Sequence, residues 1–349
     1  MIIRPATPAD GPDMLRLIES HPTGGNIKLL YSRRPDAYRS YKTECAGAET
    51  ILCIGENNRL LAQATCLPRR LYIDKKVCTL GYITGLYKTT GTQVNIMKLL
   101  DAGYVHSVAK QFFCSILDDN KSAFDLFDKR GLIYPICDYT TYLINPAAIK
   151  PIRHEFKFRR ATSDDTDRLL SFYNEAGAMH SYFPVFSSMD DFPELTVTDF
   201  FILEDGDSII AAGALWNQQA FKQYIALGYD GVYRLAALCN PVLRALHYPS
   251  LPKVNEAAHF AYISFILPRE NNFHFERILL GEISNAARKY SFLTIGAVKG
   301  TVLGKQLDLF KNIKIGSRLC AIDYPKSGVA ESGVVESIDK PPRFECALL

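Results

Sequence analysis

Residues 3–10 read Ile-Arg-Pro-Ala-Thr-Pro-Ala-Asp, and residues 158–165 read Phe-Arg-Arg-Ala-Thr-Ser-Asp-Asp. Arg4 matches Arg159, Ala6 matches Ala161, Thr7 matches Thr162 and Asp10 matches Asp165. Each copy predicts a short apolar-basic strand that runs into a helix. The threonine can cap that helix, and the aspartate three positions on can reach back to the cap's amide. Pro8 falls at the first helical position, where a missing N–H costs little. Apolar residues then follow at helical spacing: Met14, Leu15, Leu17 and Ile18 in one copy, Leu169, Leu170, Phe172 and Tyr173 in the other. A period of about 150 residues is far longer than a solenoid repeat and predicts two similar domains.

The repeat continues past the first helix. ILCIGENNRLLAQA at 51–64 and FILEDGDSIIAAGA at 201–214 both read as strand, polar turn, strand. In the first copy a further strand is expected over 76–88. A Thr/Gly loop, Thr89 to Thr92, leads into a helix carrying Ile96, Leu99, Leu100 and Val105. A strand over Phe112–Leu117, a short helix from Ala123 to Lys129 stopped by Gly131, and a strand over Tyr139–Ile144 complete it. The expected division is 1–147, a linker over 148–155 punctuated by Pro151, and 156–349 with an insertion over about 217–258. The second copy predicts strands over 260–267, 292–298 and 318–324, with helices over 275–289 and 303–311. The polar stretch 326–342 reads as a mobile loop, and Phe344–Leu348 as a closing strand.

Composition narrows the function. The chain has 349 residues, 48% hydrophobic and 22% charged, as in an ordinary globular protein of two domains. Forty basic residues nearly balance 37 acidic ones, leaving +3. That balance argues against a nucleic-acid partner or an anionic-membrane surface. No 18-residue apolar run is present, and the N-terminus lacks the apolar core of a signal peptide. The nine cysteines show no C-x-x-C pair and read as reduced thiols of a cytoplasmic protein. The seven histidines show no metal-ligand spacing, so no metal is expected.

Strand, helix, hairpin, strand, helix, strand, helix, strand is the order in each half. With the openings IRPATPAD and FRRATSDD and the stretch LDDNKSAFDLFDKRGL at 117–132, the chain resembles the GNAT acyltransferase superfamily in tandem form. The resemblance implies a mixed α/β (α+β) protein. Each of its two domains would have a mixed, mostly antiparallel central sheet flanked by helices. It implies acetyl-CoA or another acyl-CoA as donor and a small-molecule or peptide amine as acceptor. The pantetheine arm would follow the fourth strand at Leu86 and Lys88. The pyrophosphate would meet Thr89, Thr90, Gly91, Thr92 and Gln93 at a helix start, where the dipole favours an anion. Asn120 would lie near the cofactor. Asp118, at a strand end, and Tyr139 are the catalytic candidates for moving protons.

The chain departs from that pattern in two places. The family's phosphate loop needs small residues where Val94 and Ile96 stand, and the second copy, Arg269 to His274, has no glycine. The tyrosine that often protonates the departing thiolate is Phe127 in one half and Phe310 in the other. Packing and capping compete with every assignment. Asn120 is a natural helix cap, Thr89–Thr92 a natural turn, and Tyr139 a natural core residue. Two other functions fit the same fold: a Fem-type transferase using aminoacyl-tRNA, and a binding or scaffold protein without catalysis. A homodimer stays open.

Overall fold

The repeated Arg-x-x-Thr-x-x-Asp stretch builds the same staple twice. The Arg4 guanidinium donates to both Asp10 carboxylate oxygens at 2.7 and 2.8 Å, and Thr7 N–H donates to Asp10 at 2.7 Å. Arg159 grips Asp165 at 2.6 and 2.8 Å, and Thr162 N–H donates to it at 2.9 Å. One carboxylate thus ties the strand before the turn to the helix after it. In the second copy Arg168 and Glu204 extend the pair into a network, each contact at 2.9 Å.

The computed structural model describes residues 1–324 and 341–349. The N-terminal half comprises β1 (Ile2–Pro5), α1 (Gly11–Glu19), β2 (Ile27–Ser32), α2 (Ala37–Glu44), β3 (Glu49–Ile54) and β4 (Leu60–Ile73). It continues with β5 (Lys76–Lys88), α3 (Ile96–His106), β6 (Phe112–Leu117), α4 (Lys121–Asp128) and β7 (Ile133–Ile144). The C-terminal half opens with β8 (Lys157–Arg160), α5 (Thr166–Gly177), β9 (Phe200–Asp205) and β10 (Ser208–Trp216). The insertion holds β11 (Gln223–Tyr229), α6 (Val232–Leu238) and α7 (Asn240–Ala245). Then come β12 (Phe260–Pro268), α8 (Phe273–Ala286), β13 (Phe292–Val298), α9 (Val302–Asp308) and β14 (Asn312–Ile322).

The helical faces are those the periodicity predicts. Met14, Leu17 and Ile18 of α1 are buried, as are Leu169, Phe172 and Tyr173 of α5. In α3, Leu99 and Leu100 are buried but Val105 faces solvent.

Twelve strands form one sheet, in the order β1-β3-β4-β5-β6-β14-β7-β13-β12-β10-β9-β8. The two halves exchange their last strands. β14 pairs antiparallel with β6 of the first half, and β7 pairs antiparallel with β13 of the second. β7 and β14 also pair with each other from Ile133↔Ile322 to Ile144↔Asn312, which makes the seam. The chain crosses between halves at 145–156, yet the sheet has no break there. A second, two-stranded sheet joins the halves again, with Tyr224 of β11 opposite Tyr31 of β2.

The closing strand expected at Phe344–Leu348 is instead a buried 3₁₀ turn, Cys346–Leu348. Both edges of the large sheet belong to β1 and β8, so a last strand has no interior place to pair. The segment packs its apolar side chains into the gap described below. Most of the stretch predicted as a mobile loop, 326–340, lies outside the described residues.

The exchange predicts that neither half folds alone. Residues 1–155 expressed without the rest should lack a cooperative denaturant transition, because β7 loses both of its neighbours and β6 loses the longer of its two pairings. Adding residues 156–349 should restore one transition. A cooperatively folded 1–155 fragment would contradict the exchange.

Candidate active site at the diverging strands

At the centre of each half two parallel strands meet and then separate. β5 and β6 pair only at Gly81↔Phe112 and Tyr82↔Phe113, so 83–88 of β5 has no partner on β6. β12 and β13 pair at Phe260–Tyr262 with Phe292–Thr294 and then diverge. Each diverging strand carries a bulge three residues past its last pair. In β5, Gly85 and Leu86 stand opposite Ala64, between the pairs Thr65↔Thr84 and Gln63↔Tyr87. In β12, Phe265 and Ile266 stand opposite Gly213, between Ala214↔Ser264 and Ala212↔Leu267. The first bulge residue is left-handed in both, with φ 60° at Gly85 and 55° at Phe265. A bulge disrupts the ladder and re-aims backbone groups, here beside the gap.

The second gap is filled by the chain itself. Phe265 N–H donates to Glu345 Oε2 at 2.5 Å, and Ala347 N–H to Glu345 Oε1 at 3.1 Å. The Arg343 guanidinium donates to the Ile266 carbonyl and to the Glu276 carboxylate, both at 2.5 Å. Phe344, Cys346, Ala347 and Leu348 are buried around them. Burial raises the Glu345 carboxyl to about 7, although both amides and Arg343 favour its charged form. Phe265 keeps a conformation that bulky residues avoid, held by packing against Phe192 (tilted), Phe186 (edge-on) and Trp216 (stacked), with ring centres 4.6, 5.1 and 5.8 Å away.

The first gap has a different lining. A Cβ at Gly85 would collide with the Tyr41 hydroxyl, which also lies beside Thr65. Tyr41 is buried, and burial raises its pKa, so it stays protonated at neutral pH. Gln63, on the same strand as Thr65, is fully buried, and neither of its amide atoms has a hydrogen-bond partner among the described residues. Buried amides are rarely left so.

Behind Tyr41 lies a buried ionic cluster. Glu44 meets Arg33 at 2.5 Å, Arg69 at 3.0 Å and Lys222 at 3.5 Å. The Arg33 guanidinium sits 3.7 Å from the Tyr41 ring centre. Lys222 comes from the other half and also donates to the Leu349 carbonyl at 3.1 Å. Burial opposes the Glu44 charge, but the three cations outweigh it and hold the carboxyl at about 2. Burial lowers the Lys222 pKa, and Glu44 partly offsets this.

The residues singled out from sequence fall into three groups. Leu86 is in the bulge, and Lys88 ends β5 with its carbonyl 3.0 Å from His21 Nε2. Thr90, Gly91 and Gln93 are exposed in the loop before α3. Thr89 and Thr92 donate their hydroxyls to the Leu60 and Thr89 carbonyls, and it is Asn95 that caps α3, accepting from Met97 N–H at 3.0 Å. At the far strand, Asp118 is exposed at the end of β6, in a recess with Asn120, Phe124 and Arg318. Asn120 caps α4 by accepting from Ala123 N–H at 3.1 Å. Tyr139 is apart from these. It is buried on β7, and its hydroxyl donates to the Phe344 carbonyl at 3.3 Å. Sequence reasoning passed over Tyr41, Gln63, Arg33, Glu44, Arg69 and Lys222. The one local signal was a charged, aromatic helix, DAYRSYKTE at 36–44, capped by Asp36.

All nine cysteines are free thiols. Among the described residues no group of three or more His, Cys, Asp or Glu is placed to hold a metal, and no helix is long and apolar enough to cross a membrane.

No protein-family model and no curated protein matches the chain. Solved structures do. The chain is similar to a GCN5-related N-acetyltransferase from Anabaena variabilis, at 8% identity over 92% of this chain and 72% of that one, with TM-score 0.52. It is similar to the N-myristoyltransferase of Saccharomyces cerevisiae with bound myristoyl-CoA, at 9% identity over 92% and 78%, with TM-score 0.58. A GCN5-related N-acetyltransferase from Kribbella flavida aligns at 9% identity over 92% and 70%, with TM-score 0.51. The fold is therefore the one that these N-acetyltransferase and N-myristoyltransferase structures share.

Two outcomes follow. The Glu345 carboxyl binds its proton more tightly in the folded chain than in the unfolded one. Its contribution to stability is present below pH 4.5 and is lost as the pH rises through about 7. The unfolding free energy read from urea denaturation should fall between pH 5 and 8, by up to about 3 kcal/mol, and this slope should vanish in Glu345→Gln. Glu44→Gln leaves three buried cations without their carboxylate and should cost about 3–5 kcal/mol at pH 7, read by urea unfolding.

Proposed function

We propose that this protein moves an acyl group from an acyl-CoA to an amine at one site per chain, in the N-terminal half. One observation carries the reading. Of two equivalent bulges, Phe265–Ile266 is held by Glu345 and Arg343, whereas Gly85–Leu86 faces the Tyr41 hydroxyl and has no such carboxylate among the described residues. The yeast structure of the same fold holds myristoyl-CoA, which supports a thioester donor.

In this reading the pantetheine arm lies along 83–88 of β5, where β6 has turned away. The thioester carbonyl points at the bulge, whose backbone dipoles stabilise charge developing on oxygen. Thr90, Gly91 and Gln93, exposed ahead of α3, meet the pyrophosphate. The amine nitrogen attacks the carbonyl carbon, the C–S bond breaks, and CoA leaves as the thiolate. Tyr41, protonated and beside the bulge, is the proton donor to that sulfur. It takes the role that Phe127 cannot. Asp118, at the open end of β6, receives the amine's proton through water. Tyr139, on β7 under the 341–349 segment, has no part in these steps. Gln63, both of whose amide atoms are unpaired among the described residues, orients the amine substrate.

Calorimetry with acetyl-CoA, and with longer acyl-CoAs beside it, tests the reading. One equivalent should bind per chain. At about 100 times its dissociation constant a ligand adds about 2.7 kcal/mol to stability, a visible thermal shift. Gly85→Val should abolish binding. Tyr41→Phe should keep acyl-CoA affinity and lower turnover about 10²-fold or more. No binding by any acyl-CoA, or two equivalents, overturns the proposal.

A further inference from the structure

The insertion that follows β11 turns its larger apolar side chains outward. In α6, Tyr233, Ala236 and Ala237 pack on Ile27, Leu29, Tyr229 and Leu251. Val232, Leu235 and Leu238 face solvent at 73%, 68% and 78% exposure. Val242 and Leu246, one turn apart around α7, are exposed as well. A soluble surface helix normally does the reverse, burying leucine and leaving small or polar residues outside.

The hairpin is held in this orientation. At the α6–α7 junction the Asn240 side chain donates to the Leu251 carbonyl at 2.7 Å and accepts from Leu251 N–H at 2.8 Å. Farther on, Asn145 donates to the Tyr248 carbonyl at 2.9 Å, which ties the segment after α7 to the end of β7. The exposed leucines are therefore fixed by the core beneath them.

Charge separates the candidate partners for this face. From Gly231 to Asn255 the chain contains Arg234, Arg244 and Lys253 and no aspartate or glutamate, and the two acids that flank the stretch are engaged, Asp230 by Lys28 at 2.7 Å and Glu256 by Lys253. Arg234 and Arg244 are exposed and make no ion pair among the described residues. Lys253 reaches Glu256, at 3.7 Å, only at the end of the stretch. A second copy of the chain fits poorly here. A two-fold contact sets a patch against itself, so Arg234 and Arg244 would face cations with no acid in the stretch to receive them. An anionic bilayer surface fits both properties. Apolar side chains enter the acyl boundary, and basic side chains meet the headgroup phosphates.

We propose that the α6–α7 hairpin docks the protein on anionic lipid surfaces. The whole-chain charge of +3 conceals this local run, and the expectation of no membrane partner drawn from that balance is revised here for peripheral contact. The inference stands apart from the transferase reading, since it uses none of the residues at the gap.

Co-sedimentation with vesicles tests it. The full chain should pellet with phosphatidylcholine vesicles containing phosphatidylglycerol, stay in the supernatant with phosphatidylcholine alone, and be released by high salt. Leu235→Ser/Leu238→Ser and, separately, Arg234→Glu/Arg244→Glu should each weaken binding about tenfold or more. Both change exposed positions, so unchanged circular dichroism and thermal unfolding should accompany the loss. Equal pelleting with the two vesicle types overturns the proposal, as does no pelleting with either. A concentration-dependent dimer that Leu235→Ser/Leu238→Ser abolishes, with no vesicle binding, also overturns it and makes the face a self-interface.

Discussion

The main-chain pairing of β7 with β14 is the constraint on which the rest of the molecule depends. Each is the last strand of its own half and completes the sheet of the other. Because the backbone bonds of both are satisfied across the seam, the two halves cannot shift relative to one another without breaking the ladder. Everything that combines residues from both halves follows from this fixed geometry. Lys222 reaches Glu44, Tyr224 faces Tyr31, and the 341–349 segment crosses from one half toward the other.

Given that frame, the two gaps are related by the repeat but have separate fates. A parallel pair that diverges leaves strand backbone unpaired, and a bulge at the divergence re-aims its polar groups. Such groups must meet something. In the second half they meet Glu345 and Arg343 of the same chain. In the first half glycine replaces phenylalanine at the left-handed position. The missing side chain leaves room for a tyrosine hydroxyl instead of a carboxylate. The same backbone solution thus serves once as an internal packing joint and once as the candidate donor site. The difference rests on what each bulge faces.

Local structure was largely legible in the residues. The strands over 76–88, 112–117 and 292–298 stand where alternation and turn residues place them. The Arg-x-x-Thr-x-x-Asp repeat forms the same bonded turn twice. β2, α2 and β11 were not read, because each is short and mixes aliphatic, aromatic and polar residues without clear period; they are stabilised by partners distant in sequence. The candidate site was legible in part. Leu86 and the loop before α3 are beside the gap, since a glycine-containing strand followed by a helix start is a local pattern. Tyr41 and the Glu44 cluster were not, because a charged helix on its own reads as solvated. Only Lys222, from 178 residues away, shows that it is buried.

The sequence by itself determined that the same Arg-x-x-Thr-x-x-Asp turn forms twice, where most helices and strands lie, and which helix faces point inward. These depend on contacts within a turn or a hairpin, and such contacts are written in spacing. The tertiary structure decided which strands complete which sheet, that the segment expected to close as a strand fills a gap instead, and that only one bulge faces a hydroxyl. Those outcomes depend on competition between segments more than a hundred residues apart for the same unpaired backbone groups. No local pattern records the winner.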